Sequence, residues 1–342
     1  MRYLLFLLSI IYDSITTIRN FLFNIGILNS QIYNIPIICI GNLEVGGTGK
    51  TPHTEYLIKL LKNKYRLAIL SRGYARKSSK LKYVEKTSNP SLVGDEPLQI
   101  KQKYPDCVVI VEKNRKKGVK HILENHPEIE VILLDDGYQH RWIKAGLNIL
   151  ISTYDTPYYR NHLMPFGELR ENKREAKRAE LIIFSRTPDN SKLIEKQRMI
   201  KKASLFIHQQ VYFSHIDYVR WENINKEKKI NIYDAQRITL VTGIANSKHL
   251  INYLKKEGHT INHMEFPDHY DYTINDIHNI LTEHKRDNNT NKIILTTEKD
   301  ATKLRVFKDE FNTENLYYIC IEINFEEKEK FDKQILNYVA RN

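Results

Sequence analysis

Gly46-Gly47-Thr48-Gly49-Lys50-Thr51 is the stretch of this 342-residue chain best suited to chemistry. It lies between an apolar run and a helical pattern. Glycines at such a junction let backbone N–H groups turn inward around phosphate oxygens. Lys50 is placed to reach β- and γ-phosphates, and the Thr51 hydroxyl is placed to ligate Mg²⁺. Gly46, Gly47, Thr48, Gly49, Lys50 and Thr51 are therefore the expected nucleotide-binding set. The usual phosphate loop carries Gly where this chain has Glu44. Partition-type ATPases, whose glycines also sit late, carry Lys where this chain has Val45.

A second signal is the apolar run 131–134 followed by Asp135-Asp136-Gly137. A carboxylate emerging at the C-terminal end of a buried strand, beside a phosphate loop, is what a metal-assisted phosphoryl-transfer site needs. One acid is expected to face the metal and the other to support it. Other polar clusters fall at predicted strand ends or in loops. They are Ser71-Arg72-Gly73-Tyr74, Gly94-Asp95-Glu96-Pro97, Gln139-His140-Arg141, residues 165–171 with Arg170, Asp268-His269-Tyr270 and Thr297-Glu298-Lys299-Asp300. Taken singly, each also reads as a cap, a turn or surface charge.

The elements that must position these groups follow from periodicity. Short continuous apolar runs at 35–40, 67–70, 107–111, 131–134, 147–151 and 181–184 read as strands buried on both faces of a parallel sheet. Helical patterns between them complete a doubly wound α/β sheet. The rhythm breaks at 204–232, and a second α/β unit begins near 236. The expected organisation is an N-terminal helix at 1–30 and a P-loop nucleotide-binding domain at 31–205. An extended linker at 206–235 and a smaller α/β domain at 236–342, closing over a cleft, complete it.

Leu4, Leu8, Ile11, Ile15, Ile18 and Leu22 share one face of the first helix, and Ser9, Asp13, Thr16, Thr17 and Asn20 share the other. No small-residue cleavage site follows, which disfavours a signal peptide. A core-packing helix and a helix lying in a membrane surface are the remaining readings, and the richness in Leu, Ile and Phe favours the second. The net charge of +12 favours anionic partners. No nucleic-acid-binding module accompanies it, and the Lys/Arg surplus is spread along the chain, so no nucleic-acid partner is expected. Three well-separated cysteines, with no CxxC pair, argue against a zinc ribbon or a disulfide scaffold.

Together the segments resemble the tetraacyldisaccharide 4′-kinase family, the lipid A 4′-kinases. The resemblance rests on GNLEVGGTGKTP at 41–52, LSRGYAR at 70–76, GDEP at 94–97, DDGYQHR at 135–141, MPFGELRE at 164–171, PDHY at 267–270 and TEKDATKL at 297–304. It implies a P-loop kinase that moves the γ-phosphate of ATP to the 4′-hydroxyl of an acylated glucosamine disaccharide 1-phosphate. It also implies a peripheral position on the cytoplasmic face of a bacterial inner membrane. Asp95 and His269 are then a catalytic pair, and Glu96, Asp135, Asp136 and Thr51 work around Mg²⁺. Consistent with that, Lys50 and Arg170 suit neutralising phosphoryl charge. Asp95 suits accepting a sugar-hydroxyl proton, with His269 orienting or relaying it. A membrane-associated partition-type ATPase switch is the alternative, weakened by Val45.

Overall fold

The computed structural model describes residues 2–224, 236–287, 291–311 and 316–342. Helix α1 (Arg2–Asn24) leads into β1 (Ile37–Gly41), α2 (Lys50–Leu61), β2 (Leu67–Ser71), β3 (Lys82–Tyr83), α3 (Pro90–Val93), α4 (Asp95–Lys103), β4 (Val108–Val111) and α5 (Arg115–Asn125). Then come β5 (Val131–Asp135), β6 (Leu147–Thr153), β7 (Leu181–Ser185), α6 (Leu193–Ala203) and β8 (Gln210–Asn223). The second half holds β9 (Arg237–Thr242), α7 (Lys248–Lys256), β10 (Thr260–Glu265), α8 (Ile274–Arg286), β11 (Lys292–Thr297), α9 (Glu298–Leu304), β12 (Leu316–Phe325) and α10 (Lys328–Ala340).

The strands form one sheet in the order β10-β9-β11-β12-β8-β7-β6-β1-β5-β2-β4-β3. β1 pairs in parallel with β5 and β6, as the uninterrupted apolar runs require. Side chains alternate across it: Ile38 and Ile40 join one core layer, Ile37 and Cys39 the opposite one. All three cysteines are buried and unbridged.

The stretch expected as a linker is largely sheet. Gln210–Phe213 of β8 pair in parallel with β7, and Ser214–Asn223 pair antiparallel with β12. A single strand thus belongs to both halves of the molecule. The remainder of the expected linker, 225–235, lies outside the described residues. The C-terminal helix also departs from the expected boundary. Phe331, Ile335 and Val339 of α10 pack into the core of the first half, and Tyr338 donates from its hydroxyl to the Ile37 carbonyl at 3.1 Å. The apolar spacing i, i+4, i+8 makes one helical face, and the sequence leaves its partner open.

α1 is amphipathic as expected, with its faces turned inside out relative to a core helix. Ser9, Thr16 and Asn20 are buried against the body, whereas Leu4, Leu8, Ile11, Ile15 and Ile18 are exposed. The polar face docks on residues 170–172. Tyr12 donates from its hydroxyl to the Arg170 carbonyl at 2.8 Å, Arg19 and Asn20 bond Glu171, and Asn172 donates to Asp13 at 3.1 Å. By length and composition alone this helix is long and apolar enough to cross a membrane. The core-packing reading does not fit this arrangement.

Candidate active site

The site lies at the C-terminal ends of β1 and β5, where ligands bind in open α/β sheets. Gly46 and Gly49 have φ of +107° and +93°, left-handed values that glycine alone adopts without strain. Three side chains pin the loop's carbonyls. Ser185 donates from Oγ to the Thr48 carbonyl at 2.7 Å, and Arg186 donates to that of Gly47 at 2.5 Å. His53 bonds the Gly49 carbonyl through Nδ1 at 2.7 Å and Ser214 through Nε2 at 2.9 Å. A carbonyl only accepts, so Nδ1 carries the proton. Burial holds this imidazole down to about 4, so it stays neutral near neutral pH.

Glu44, which stands where a phosphate loop usually has Gly, is buried away from the phosphate position. It accepts from Ser152 Oγ at 3.3 Å. Its neighbours zip the loop's first limb to the segment bearing Arg170. Val45 N–H donates to the Glu168 carbonyl at 2.8 Å, and Arg170 N–H donates to that of Leu43 at 2.7 Å.

The two adjacent acids diverge. Asp135 points inward, with Thr54 Oγ1 donating to one oxygen at 3.0 Å and Ser71 Oγ to the other at 3.2 Å. Burial, with the nearby Glu96 and Asp136 charges, raises its pKa. Asp136 lines the cleft, 3.6 Å from Lys50 Nζ and 3.3 Å from Arg170. Burial opposes its ionisation, but Lys50 and Arg170 outweigh it and hold it down to about 2. Among the described residues no group of three or more His, Cys, Asp or Glu side chains forms a ready metal cage. The donors on the cleft wall, Thr51, Glu96 and Asp136, are all hard oxygens. They suit Mg²⁺, which takes few protein ligands and keeps water and phosphate oxygens.

Asp95 and His269 come together from the two halves. His269 Nδ1 lies 3.0 Å from Asp95 Oδ2, and Lys299 Nζ lies 3.2 Å from Nε2. A carboxylate accepts and an ammonium donates, so the hydrogen sits on Nδ1 and Nε2 carries the lone pair. His269 has φ +59°, a conformation costing about 1–2 kcal/mol, and Tyr74 tilts against its ring at 4.9 Å. Asp95 and Glu96 open α4 rather than a loop. Asp95 lies behind His269, 3.1 Å from Lys303 Nζ, and only His269 lines the cleft. Burial works against the Asp95 charge, but the His269 hydrogen bond with Lys299 and Lys303 outweighs it and holds the carboxyl far below its usual range.

The cleft measures about 580 Å³ and has an apolar end made by Ile216, Tyr218, Leu250, Ile319 and Ile321. Those residues escaped the sequence reading, which noted Lys299 and Lys303 only within a polar cluster and a family segment and gave neither a role. Apolar strand residues look like ordinary core, and lone lysines look like surface charge.

A phosphate loop, a cation–carboxylate cluster and an acid-backed imidazole around one cleft define a P-loop phosphotransferase of the doubly wound α/β class. The sequence model of the tetraacyldisaccharide-1-P 4′-kinase family matches residues 1–340, and the chain belongs to that family. The tetraacyldisaccharide 4′-kinase of Flavobacterium johnsoniae is 42% identical over 100% of this chain and 98% of its own length. That of Bacteroides thetaiotaomicron is 38% identical over 99% and 93%. A crystal structure of LpxK from Aquifex aeolicus in complex with ATP superposes with a TM-score of 0.77, at 30% identity and 99% coverage of both chains. Family membership leaves the partition-type ATPase alternative unsupported.

Proposed function

We propose that this chain transfers the γ-phosphate of ATP to the 4′-hydroxyl of a tetraacylated glucosamine disaccharide 1-phosphate, giving the bisphosphorylated lipid A precursor. The observation that carries this is the Asp95–His269 pair, facing Lys50 and Asp136 across one cleft. An ATPase used as a switch has no need of a positioned base for a sugar hydroxyl.

The phosphate loop and Lys50 would hold the β- and γ-phosphates, with the base in the apolar end of the cleft. Mg²⁺, held by Thr51, Asp136 and Glu96, would neutralise phosphate charge when bound. Asp135 then orients the end of β5 from behind. Arg170 and Lys50 offset the charge on the transferring group's equatorial oxygens. The hydroxyl proton goes to His269 Nε2, with Asp95 accepting from Nδ1–H and steadying the cation that forms. Lys299, which occupies Nε2 here, turns to Asp268, already 2.9 Å from its ammonium. β8, paired with β7 at one end and with β12 at the other, is the element about which a nucleotide half and a closing half would move. The test is incubation with labelled ATP, Mg²⁺ and the disaccharide 1-phosphate. Label in a bisphosphorylated lipid with equimolar ADP supports the reading, and ADP alone sinks it.

The acceptor is a lipid, and the exposed apolar face of α1 supports a peripheral seat on the cytoplasmic face of the inner membrane. Deleting α1 would strip Glu171 of two partners and so mixes docking with membrane binding. Substituting Ile11, Ile15 and Ile18 by Asn leaves the polar face intact. A buried Ile side chain is worth roughly 1.5–3 kcal/mol, so the triple variant should lose at least a hundredfold in partition onto phosphatidylglycerol vesicles. Its ATP affinity should be unchanged. Undiminished co-sedimentation would move the membrane contact elsewhere.

A further inference from the structure

Helices α4 and α9, one from each half, pack on each other and are cross-linked at both ends of α4. At the cleft end, Lys303 of α9 holds Asp95 of α4 at 3.1 Å, with Lys299 3.7 Å from Glu96. At the other end of α4 its last residue, Lys103, places its ammonium 3.0 Å from Glu298, which opens α9 and lines the cleft, and 2.6 Å from Glu55 of α2. Gln99 donates to the other Glu55 oxygen at 2.7 Å. Glu55 is buried, one helical turn beyond Thr51. Lys103 is about 12 Å along α4 from Asp95 by helical rise, and it is not on the cleft wall. One ammonium therefore joins the helix that opens at the phosphate loop, the helix that opens at Asp95 and the helix that carries Lys299 and Lys303.

The geometry points to Lys103 as a positioning residue, a latch whose bond to Glu298 forms only when the two halves are closed and so brings His269 up to the phosphate loop. This rests on the kinase reading above. The two bonds of Lys103 differ in kind. The Glu55 bond lies within the first half and survives opening. The Glu298 bond crosses between halves and is the part that opening breaks. Burial works against the ammonium, but Glu55 and Glu298 outweigh it and keep it charged. This contact involves no group assigned to substrate, although Glu298 lines the cleft. It therefore sets the balance of closed and open forms and leaves the chemistry to others.

Lys103→Met leaves buried carboxylates facing each other and is prone to misfold, so Glu298→Gln is the deciding variant. It weakens the Lys103 bond between halves and leaves Glu55 in place; because Glu298 also lines the cleft, ATP affinity is measured beside it, and Lys103→Arg, off the cleft wall, is the conservative control. Nitroxide labels at Lys120→Cys and Lys256→Cys, both exposed, report the distance between halves, because the native cysteines are buried. With saturating ATP, Glu298→Gln should show a broader, longer distance distribution than the parent. Its turnover on the disaccharide 1-phosphate in detergent should fall about tenfold, the value of one charge-assisted hydrogen bond. The yield of lipid phosphate per ADP should fall too, because a looser cleft admits water. Lys103→Arg should keep most of both. Parental distances and product ratio in Glu298→Gln overturn the latch, as does a lowered melting temperature with an unchanged ratio. If the parent itself phosphorylates no lipid, the kinase reading fails instead, and the distance measurement still decides the latch.

Discussion

Lys50→Met is expected to cut turnover by about 10²–10³-fold, the usual cost of removing one preorganised charge from a transition state. The ammonium is the first side chain of α2, at a helix N-terminus whose Gly49 cap offers no side-chain bond. It is therefore available to phosphate apart from its 3.6 Å contact with Asp136. Phosphoryl transfer spreads charge over three oxygens and asks little of the protein beyond neutralising and aligning them. The fold should tolerate the change, because Asp136 keeps Arg170 at 3.3 Å and Met preserves the aliphatic stem. Rapid-quench turnover and thermal melting together check this. A variant that retains its melting temperature and most of its turnover would remove Lys50 from the phosphate site.

The second large effect concerns the pair across the cleft. His269→Gln should lower kcat by about 10²–10⁴-fold with a small change in the KM for ATP, since a general base acts in the transition state. Asp95→Asn should lose a similar factor, and the double variant little more, because the two act as a unit. Stability separates them. His269→Gln leaves the Asp95–Lys303 pair intact and should melt like the parent. Asp95→Asn leaves the Lys303 ammonium, 8% exposed, with the Tyr270 carbonyl as its remaining bond. Breaking a buried pair from one side costs about 3–5 kcal/mol. The sign with pH follows. A carboxyl held below its unfolded pKa, about 4, contributes stability above that value and loses it as pH falls towards its folded pKa. The Asp95→Asn penalty should therefore be full at pH 7 and shrink in acid. Parental turnover in His269→Gln would transfer the proton's destination to another group.

The parallel sheet was legible because strands buried on both faces must be apolar throughout, and 37–41, 67–71 and 131–135 are nearly so. The phosphate loop was legible because glycine at 46 and 49 answers a backbone need that the structure displays as positive φ. Which of the two acids meets the cleft was not legible. Asp135 and Asp136 differ only in the partners, Thr54 and Ser71 against Lys50 and Arg170, that folding brings from distant segments. The order of the pair was likewise hidden: Asp95 reads as the more obvious base, yet it sits behind the imidazole. The sharing of β8 between the two halves and the return of α10 to the first half are tertiary choices. Local pattern shows an extended run and an amphipathic helix, and neither names its neighbour. The Lys103, Glu55 and Glu298 charges read as solvated surface until three helices converge on them.

The inside-out docking of α1 has a consequence for the order in which the chain is made. Its polar face is satisfied by residues 170–172, about 150 positions later in the chain. At about 5–20 residues per second, a ribosome takes roughly 8–30 s to supply them. Through that interval the polar face of the helix is without its final partners, and its apolar side is open to a bilayer or a chaperone. Glu171, in turn, cannot be buried with its full set of donors until α1 docks against it. Docking of α1 therefore cannot precede synthesis of residues 170–172, and through Tyr12 it holds the Arg170 backbone.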